Sequence, residues 1–429
     1  MIQRLIDFLG NSPVNFLAVA EIKRQLTAAG YKELDATQPT PAVQAGDKLF
    51  VTKNDSSIYA FHIGSQPLGE NGFHVIAAHC DSPTFRIKPN AEMVNGDGSI
   101  RLNTEAYGGA ILSTWFDRPL SVAGRVILRS SNPLKPETRL LHVRRPILVI
   151  PNLAIHFNRQ VNDGVKLSKQ KDMLPILGYV NDKMEKGGVL LSLIADELDV
   201  KKEDILDFDL YLYDTTPACT VGLHDEFISA GRLDDLSMVH AGLEALLSIT
   251  ETPETTKILA VFDNEETGSQ TKQGAGSPFL SSILQRLVTA QGGTGDDYFR
   301  AVEQAFMVSA DNAHAWHPNY SEKYDPTNHP HMGGGPVVKL NAAQKYLSDA
   351  ASAAVFRELC RLADVPCQTF VNHSDVAGGS TLGNILSASL PLRGVDMGNP
   401  IWAMHSARET GSVPDHEYCI RAFREFFRQ

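Results

Sequence analysis

Three stretches constrain this chain more than any others: FHVIAA at residues 73–78, KILAVF at 257–262 and AFMVSA at 305–310. Each is apolar almost without a break. A strand with no wet face must be covered on both sides, which is the situation of strands in a parallel or mixed sheet between helices. Helical patterns separate them, among them LSMVHAGLEALLSI and SDAASAAVFRELCRLA. The expected fold is α/β, a mixed central sheet with helices on both faces. Between about residues 89 and 230 the texture changes. SIRLNTEAY, VAGRVILRSS, RRPILVIPNLAIHF and FDLYLYD read as short strands, with one helix at VLLSLIADEL. The chain therefore reads as a discontinuous α/β domain, 1–88 plus 231–429, interrupted by a β-rich insertion at 89–230. A length of 429 residues suffices for two such domains.

Ligands of open α/β sheets sit beyond the carboxyl ends of the strands, and these strands end in one kind of chemistry. FHVIAA runs into His79-Cys80-Asp81, KILAVF into Asp263-Asn264-Glu265-Glu266, and AFMVSA into Asp311. GRLDD sets Asp234 and Asp235 before a helix, and GNPIWAM leads to His405. Imidazole and carboxylate suit zinc, with manganese or cobalt as substitutes. One metal would need three ligands and an open position. Five ligands with one carboxylate shared would serve two metals. Asp81 is placed to orient His79 through its second ring nitrogen. If Glu266 is a ligand, Glu265 stays uncoordinated and can move protons as a general base. Each residue also has a plain alternative: an N-cap for Asp234 or Asp235, an Asx-turn for Asp311, a solvated turn for the glutamates.

Charge and composition exclude other classes. With 39 Lys+Arg against 50 Asp+Glu, the net charge of −11 argues against nucleic acid and anionic membranes as partners. The N-terminal segment reads as amphipathic helix, not signal peptide, and no apolar run is long enough to span a bilayer. Five cysteines without a CxxC pair suggest reduced thiols and a cytoplasmic setting. There is no GxSxG, GxxxxGK[ST], GxGxxG or HExxH motif.

HCDSPTFRIKP, YGGA, IPNLAIH, GRLDD, FDNEETGS, SADNAHAWHPNY, GGGPVVK, GSTLG and AMHSARE occur in that order between about residues 74 and 412. Together they resemble the aspartyl aminopeptidase family, dinuclear zinc exopeptidases that assemble as tetrahedral dodecamers. The resemblance implies a zinc-exopeptidase-like catalytic domain with an inserted oligomerisation domain. It also implies two zincs per subunit. His79 and Asp311 would bind one, Glu266 and His405 the other, with Asp234 bridging, Glu265 as general base and Asp81 supporting His79. His156 would contact substrate, from a neighbouring subunit, in preference to binding metal. Lys339 would line the pocket for an acidic N-terminal side chain. Asp375 and Ser380 lie on a loop that would approach the peptide. The implied reaction removes the N-terminal residue of short peptides with a free amino terminus, favouring Asp or Glu, through a water bridged by the zincs. Cys80, Asp235 and Trp316 depart from the commoner family pattern. The rival readings are another dinuclear-metal amide hydrolase, a carboxypeptidase or deacylase, and a non-catalytic assembly protein stabilised by metal.

Overall fold

A computed structural model of the chain describes residues 1–179 and 188–429. Contacts divide it into two units. The first comprises Met1–Asp81, Ala218–Met404 and Glu409–Gln429; the second comprises Ser82–Pro217 and His405–Arg408.

The main sheet of the first unit has nine strands: β1 (Lys32–Glu33), β2 (Lys48–Lys53), β3 (Ser57–His62), β4 (Phe73–His79), β5 (Thr256–Phe262), β6 (Phe306–Ala310), β7 (Val337–Leu340), β8 (Gln368–Val371) and β9 (Arg393–Gly398). Their spatial order is β1-β2-β3-β5-β4-β6-β9-β7-β8. The central four, β5, β4, β6 and β9, are parallel. β3 runs against β5 and β7 against β9, so the sheet is mixed. The apolar runs are two-faced, as their composition requires. In β4, Ile76 and Ala78 enter one core while Val75 and Ala77 enter the other; in β5, Leu259 and Val261 oppose Ile258 and Ala260. Helices Leu233–Leu247, Ala350–Leu362 and Val413–Arg428 cover the first face, and Phe279–Ala290, Gly295–Gln304 and Leu382–Ser389 the second. The helix over β4 and β5 sits so close that a Cβ on Gly242 would lie 2.7 Å from Leu259 Cδ1. Parallel register aligns Phe262 with His79, so the polar tails of these strands emerge at one end.

The second unit is built on six antiparallel strands in the spatial order Glu137–His142, Leu120–Leu128, Ile205–Asp214, Thr84–Val94, Ser99–Tyr107 and Ile176–Tyr179. The helix expected at VLLSLIADEL spans Val189–Leu198. RRPILVIPNLAIHF does not form a strand. Leu148, Val149 and Ile150 make isolated bridges, and the chain continues as exposed loop into a short 3-10 turn at Ile155–Phe157. Pro146 and Pro151 bracket the bridged residues, and neither can donate to a ladder.

The first core also encloses a histidine pair. His240 Nδ1 lies 3.0 Å from His416 Nε2, and both side chains are buried. Burial pushes His416 down to about 3 and His240 well below its ordinary value. Between pH 6.5 and about 3 the unfolded chain holds a proton at His416 that the folded chain refuses. That contribution to stability is complete above 6.5 and is lost as pH falls. Going from pH 7 to pH 5 should cost the wild type about 2 kcal/mol more than His416→Gln. Denaturant midpoints at the two pH values measure it; parallel losses in both proteins would remove His416 as the origin.

Candidate active site

Beyond the carboxyl ends of β4, β5 and β6, the first unit gathers His79, Asp81, Asp234, Asp235, Glu265, Glu266 and Asp311. His79 is the last residue of β4 and is 1% exposed. Its Nδ1 is 3.1 Å from the Asp81 carbonyl oxygen, which can only accept, so Nδ1 carries the proton. The Asp81 carboxylate lies 3.3 Å from the same nitrogen. Nε2, the other ring nitrogen, faces Asp234 Oδ1 at 3.5 Å.

Asp81 has a second task. Its Oδ1 accepts from the Glu265 amide and its Oδ2 from the Glu266 amide, each at 3.1 Å. The glutamates occupy a 3-10 turn, Glu265–Thr267, entered through Asn264 in the left-handed region at φ 59. One carboxylate thus ties the end of β4 to the turn after β5.

The Asp234–Asp235 pair lies at the start of the Leu233–Leu247 helix with non-helical backbone, and Arg232 occupies the N-cap position. The Asp234 amide donates to Glu409 Oε2 at 3.0 Å. Asp235 Oδ2 accepts from the His79 amide at 3.1 Å. Asn312 donates to the Leu233 carbonyl at 2.7 Å and to Asp235 Oδ1 at 3.4 Å. Asp235, Asn312 and Glu409 thus anchor the site, and sequence reasoning gave them no such role. Asn312 was legible only as the neighbour of Asp311, and Glu409 only as the end of AMHSARE.

The electrostatics follow from desolvation. Burial raises the carboxyls of Asp235 and Glu266 well above their ordinary range, pushes Glu265 up to about 8 and raises Asp311. Neighbouring carboxylates add to each shift. For His79, burial works against the charged form, but Asp235, Asp234, Asp81 and Glu265 outweigh it and hold the imidazole well above its usual value. Six carboxylates against one imidazole and one ammonium cannot all ionise in a dry pocket without a cation. One ligand atom each from His79, Asp234, Asp235 and Asp311 lies within 4.8 Å of the others, and the same holds for His79, Glu265 and Glu266. The donor set, hard oxygens with an imidazole whose tautomer is fixed, fits a divalent ion of the zinc type.

Lys339, in β7, is buried. Its ammonium lies 3.4 Å from Asp311 Oδ2, donates to the Asn312 carbonyl at 2.9 Å, and stands over the Tyr346 ring at 5.6 Å. Asp375 and Ser380 lie on an exposed loop, where the Asp375 amide donates to His373 Nδ1 at 3.2 Å. Two predicted residues belong to the second unit. His156 is exposed within the Ile155–Phe157 turn. His405 Nδ1 is 3.2 Å from the Gly109 carbonyl oxygen of the same unit, so Nδ1 carries its proton.

The sequence matches the profile of the family described as "Aminopeptidase I zinc metalloprotease (M18)" over residues 8–427. A Clostridium acetobutylicum protein named probable M18 family aminopeptidase 2 is 53% identical over 425 residues, covering 99% of this chain and 98% of its own. A Pseudomonas aeruginosa protein of the same name is 43% identical, covering 99% and 97%. Among solved structures, a chain of the Ape4 and Nbr1 complex superposes with a TM-score of 0.95 at 36% identity, over 99% of this chain and 85% of that one. The S. cerevisiae mApe1 dodecamer gives 0.86 at 25% identity, over 100% and 96%.

Asp81→Ala should free both the His79 ring and the Glu265–Glu266 turn. Zinc affinity should fall about 10- to 100-fold, the range for loss of a carboxylate behind a ligating histidine. Chelator competition measures it, and wild-type affinity would remove Asp81 from the site.

Proposed function

Because this chain belongs to the M18 family of zinc aminopeptidases, we propose that it removes acidic residues from peptide N-termini by a two-zinc mechanism. The observation that carries the reading is the convergence of His79, Asp234, Asp311, Glu265 and Glu266 in one desolvated cluster beyond three parallel strands. His79 and Asp311 are assigned to one ion, Glu266 and His405 to the other, and Asp234 between them. When bound, zinc supplies positive charge that polarises the scissile carbonyl and acidifies the attacking water.

Glu265 is the general base. Its backbone amide is pinned by Asp81, and its carboxylate takes the water's proton and returns it to the departing amine. Lys339 has two roles in this reading. It holds Asp311 through the 3.4 Å contact, and its charge favours an acidic N-terminal side chain. The loop bearing Asp375 and Ser380 offers backbone to the peptide.

The neighbour solved as a dodecamer supports a homo-oligomer of twelve, with the β-rich unit as the assembly domain. Leu153, Ile155, Phe157 and Val165 of that unit are exposed, an apolar display suited to a subunit contact that would carry His156 into an adjoining active site. Five free cysteines agree with a cytoplasmic setting. Among the described residues, no helix is long and apolar enough to cross a membrane.

Glu265→Gln should leave zinc content unchanged and lower kcat by about 10²- to 10⁴-fold. Metal analysis with aminoacyl kinetics tests this, and near-normal turnover would end the base assignment. Lys339→Met should lower kcat/KM on Asp and Glu substrates at least about tenfold more than on Leu or Ala substrates, a difference of about 1.4 kcal/mol. An equal fall on all four would leave Lys339 only its grip on Asp311.

A further inference from the structure

Far from the metal cluster in sequence, two cysteines face each other across a helix–strand junction. Cys360 lies in the last turns of the Ala350–Leu362 helix and is fully buried. Cys367 immediately precedes β8 and is half-buried. The facing geometry follows from periodicity. Arg357 and Cys360 are three apart on one helix face, and Cys367 and Thr369 are two apart on one side of an extended chain. Arg357 Nη2 donates to Thr369 Oγ1 at 3.0 Å, which ties these two surfaces together, and Cys367 packs against the core that contains Cys360. The loop between them is short and closed by the Val365 amide donating to the Cys360 carbonyl at 2.9 Å.

We propose that Cys360 and Cys367 are an oxidisable dithiol that a hydroperoxide closes into an intramolecular disulfide, with Cys367 attacking first. The division of labour has a physical basis. The Cys360 thiol donates toward the Cys367 sulfur, and this, with the Arg357 charge, favours the Cys367 thiolate against the effect of burial. The same interaction, with burial, keeps Cys360 protonated. Cys367, half-buried, is also the more accessible of the two, and a partly accessible thiolate beside a cation is the reactive kind.

The Cys367 thiolate attacks the distal oxygen of ROOH. An S–O bond forms, the O–O bond breaks, and RO⁻ leaves to take a proton as ROH. Cys360, deprotonating as it reacts, attacks the Cys367 sulfenic sulfur. The S–S bond forms, S–O breaks, and hydroxide leaves as water with the Cys360 proton. Two thiols lose two electrons and the peroxide gains them.

The test uses the full-length zinc-loaded enzyme, treated with hydrogen peroxide, alkylated and digested with trypsin. Cleavage after Arg361 separates the two cysteines, so a disulfide appears as linked peptides lighter by two hydrogens and separable by reductant. The expected result is loss of both thiols with that linked pair. In Cys360→Ser, a cyclic 1,3-dione should label Cys367 as its sulfenic acid; in Cys367→Ser, Cys360 should stay a thiol. Arg357→Ala should slow the oxidation. Exposed Cys219 is the internal comparison. Oxidation of Cys219 with Cys360 and Cys367 still unlinked thiols would overturn the proposal, as would dione labelling of Cys360 in the Cys367→Ser protein.

Discussion

Asp81 holds this site together. Its two carboxylate oxygens accept the amides of Glu265 and Glu266, and its carbonyl and Oδ1 both approach His79 Nδ1. Around it lie the other acids of one desolvated space. Asp81 is committed to hydrogen bonds, while Asp235, Glu265, Glu266 and Asp311 are all pushed toward the protonated form. A divalent ion gives these acids a counter-charge without asking each to hold a proton, so the fold and the metal requirement are two views of the same electrostatics.

Much of this was written in residue order. Uninterrupted apolar runs require a doubly covered sheet, and β4, β5 and β6 occupy its centre. Their polar tails therefore meet, because parallel strands in register end on one side. The least legible parts depend on contacts across long sequence separations. Nothing local tells that Glu409 would accept the Asp234 amide, or that Asp235 would reach the His79 backbone. RRPILVIPNLAIHF shows the opposite failure, since its β-branched composition suggested pairing that Pro146 and Pro151 deny. Nor does anything local to Lys339 tell that its ammonium is buried against Asp311.

That lysine sits in a wider polar network. Asp396, fully buried in β9, accepts from Thr381 Oγ1 at 2.8 Å and from the Leu347 amide, while the Asp396 amide donates to Ser348 Oγ at 2.8 Å. The loop carrying Tyr346 and the loop preceding the Leu382–Ser389 helix are thereby fastened to one strand. Burial of such groups is tolerable only because each is met by a partner. In the proposed reading, preference for a substrate side chain and placement of Asp311 share this foundation through Lys339.

The strand order has a consequence for how such a chain comes into being. β4 is complete by residue 79, but its neighbours in the sheet are residues 256–262 and 306–310. At roughly 5–20 residues per second, the ribosome leaves both edges of this greasy strand bare for at least about ten seconds. The nascent segment must be shielded through that interval, and the proposed metal cluster cannot be complete until Asp311 has left the exit tunnel.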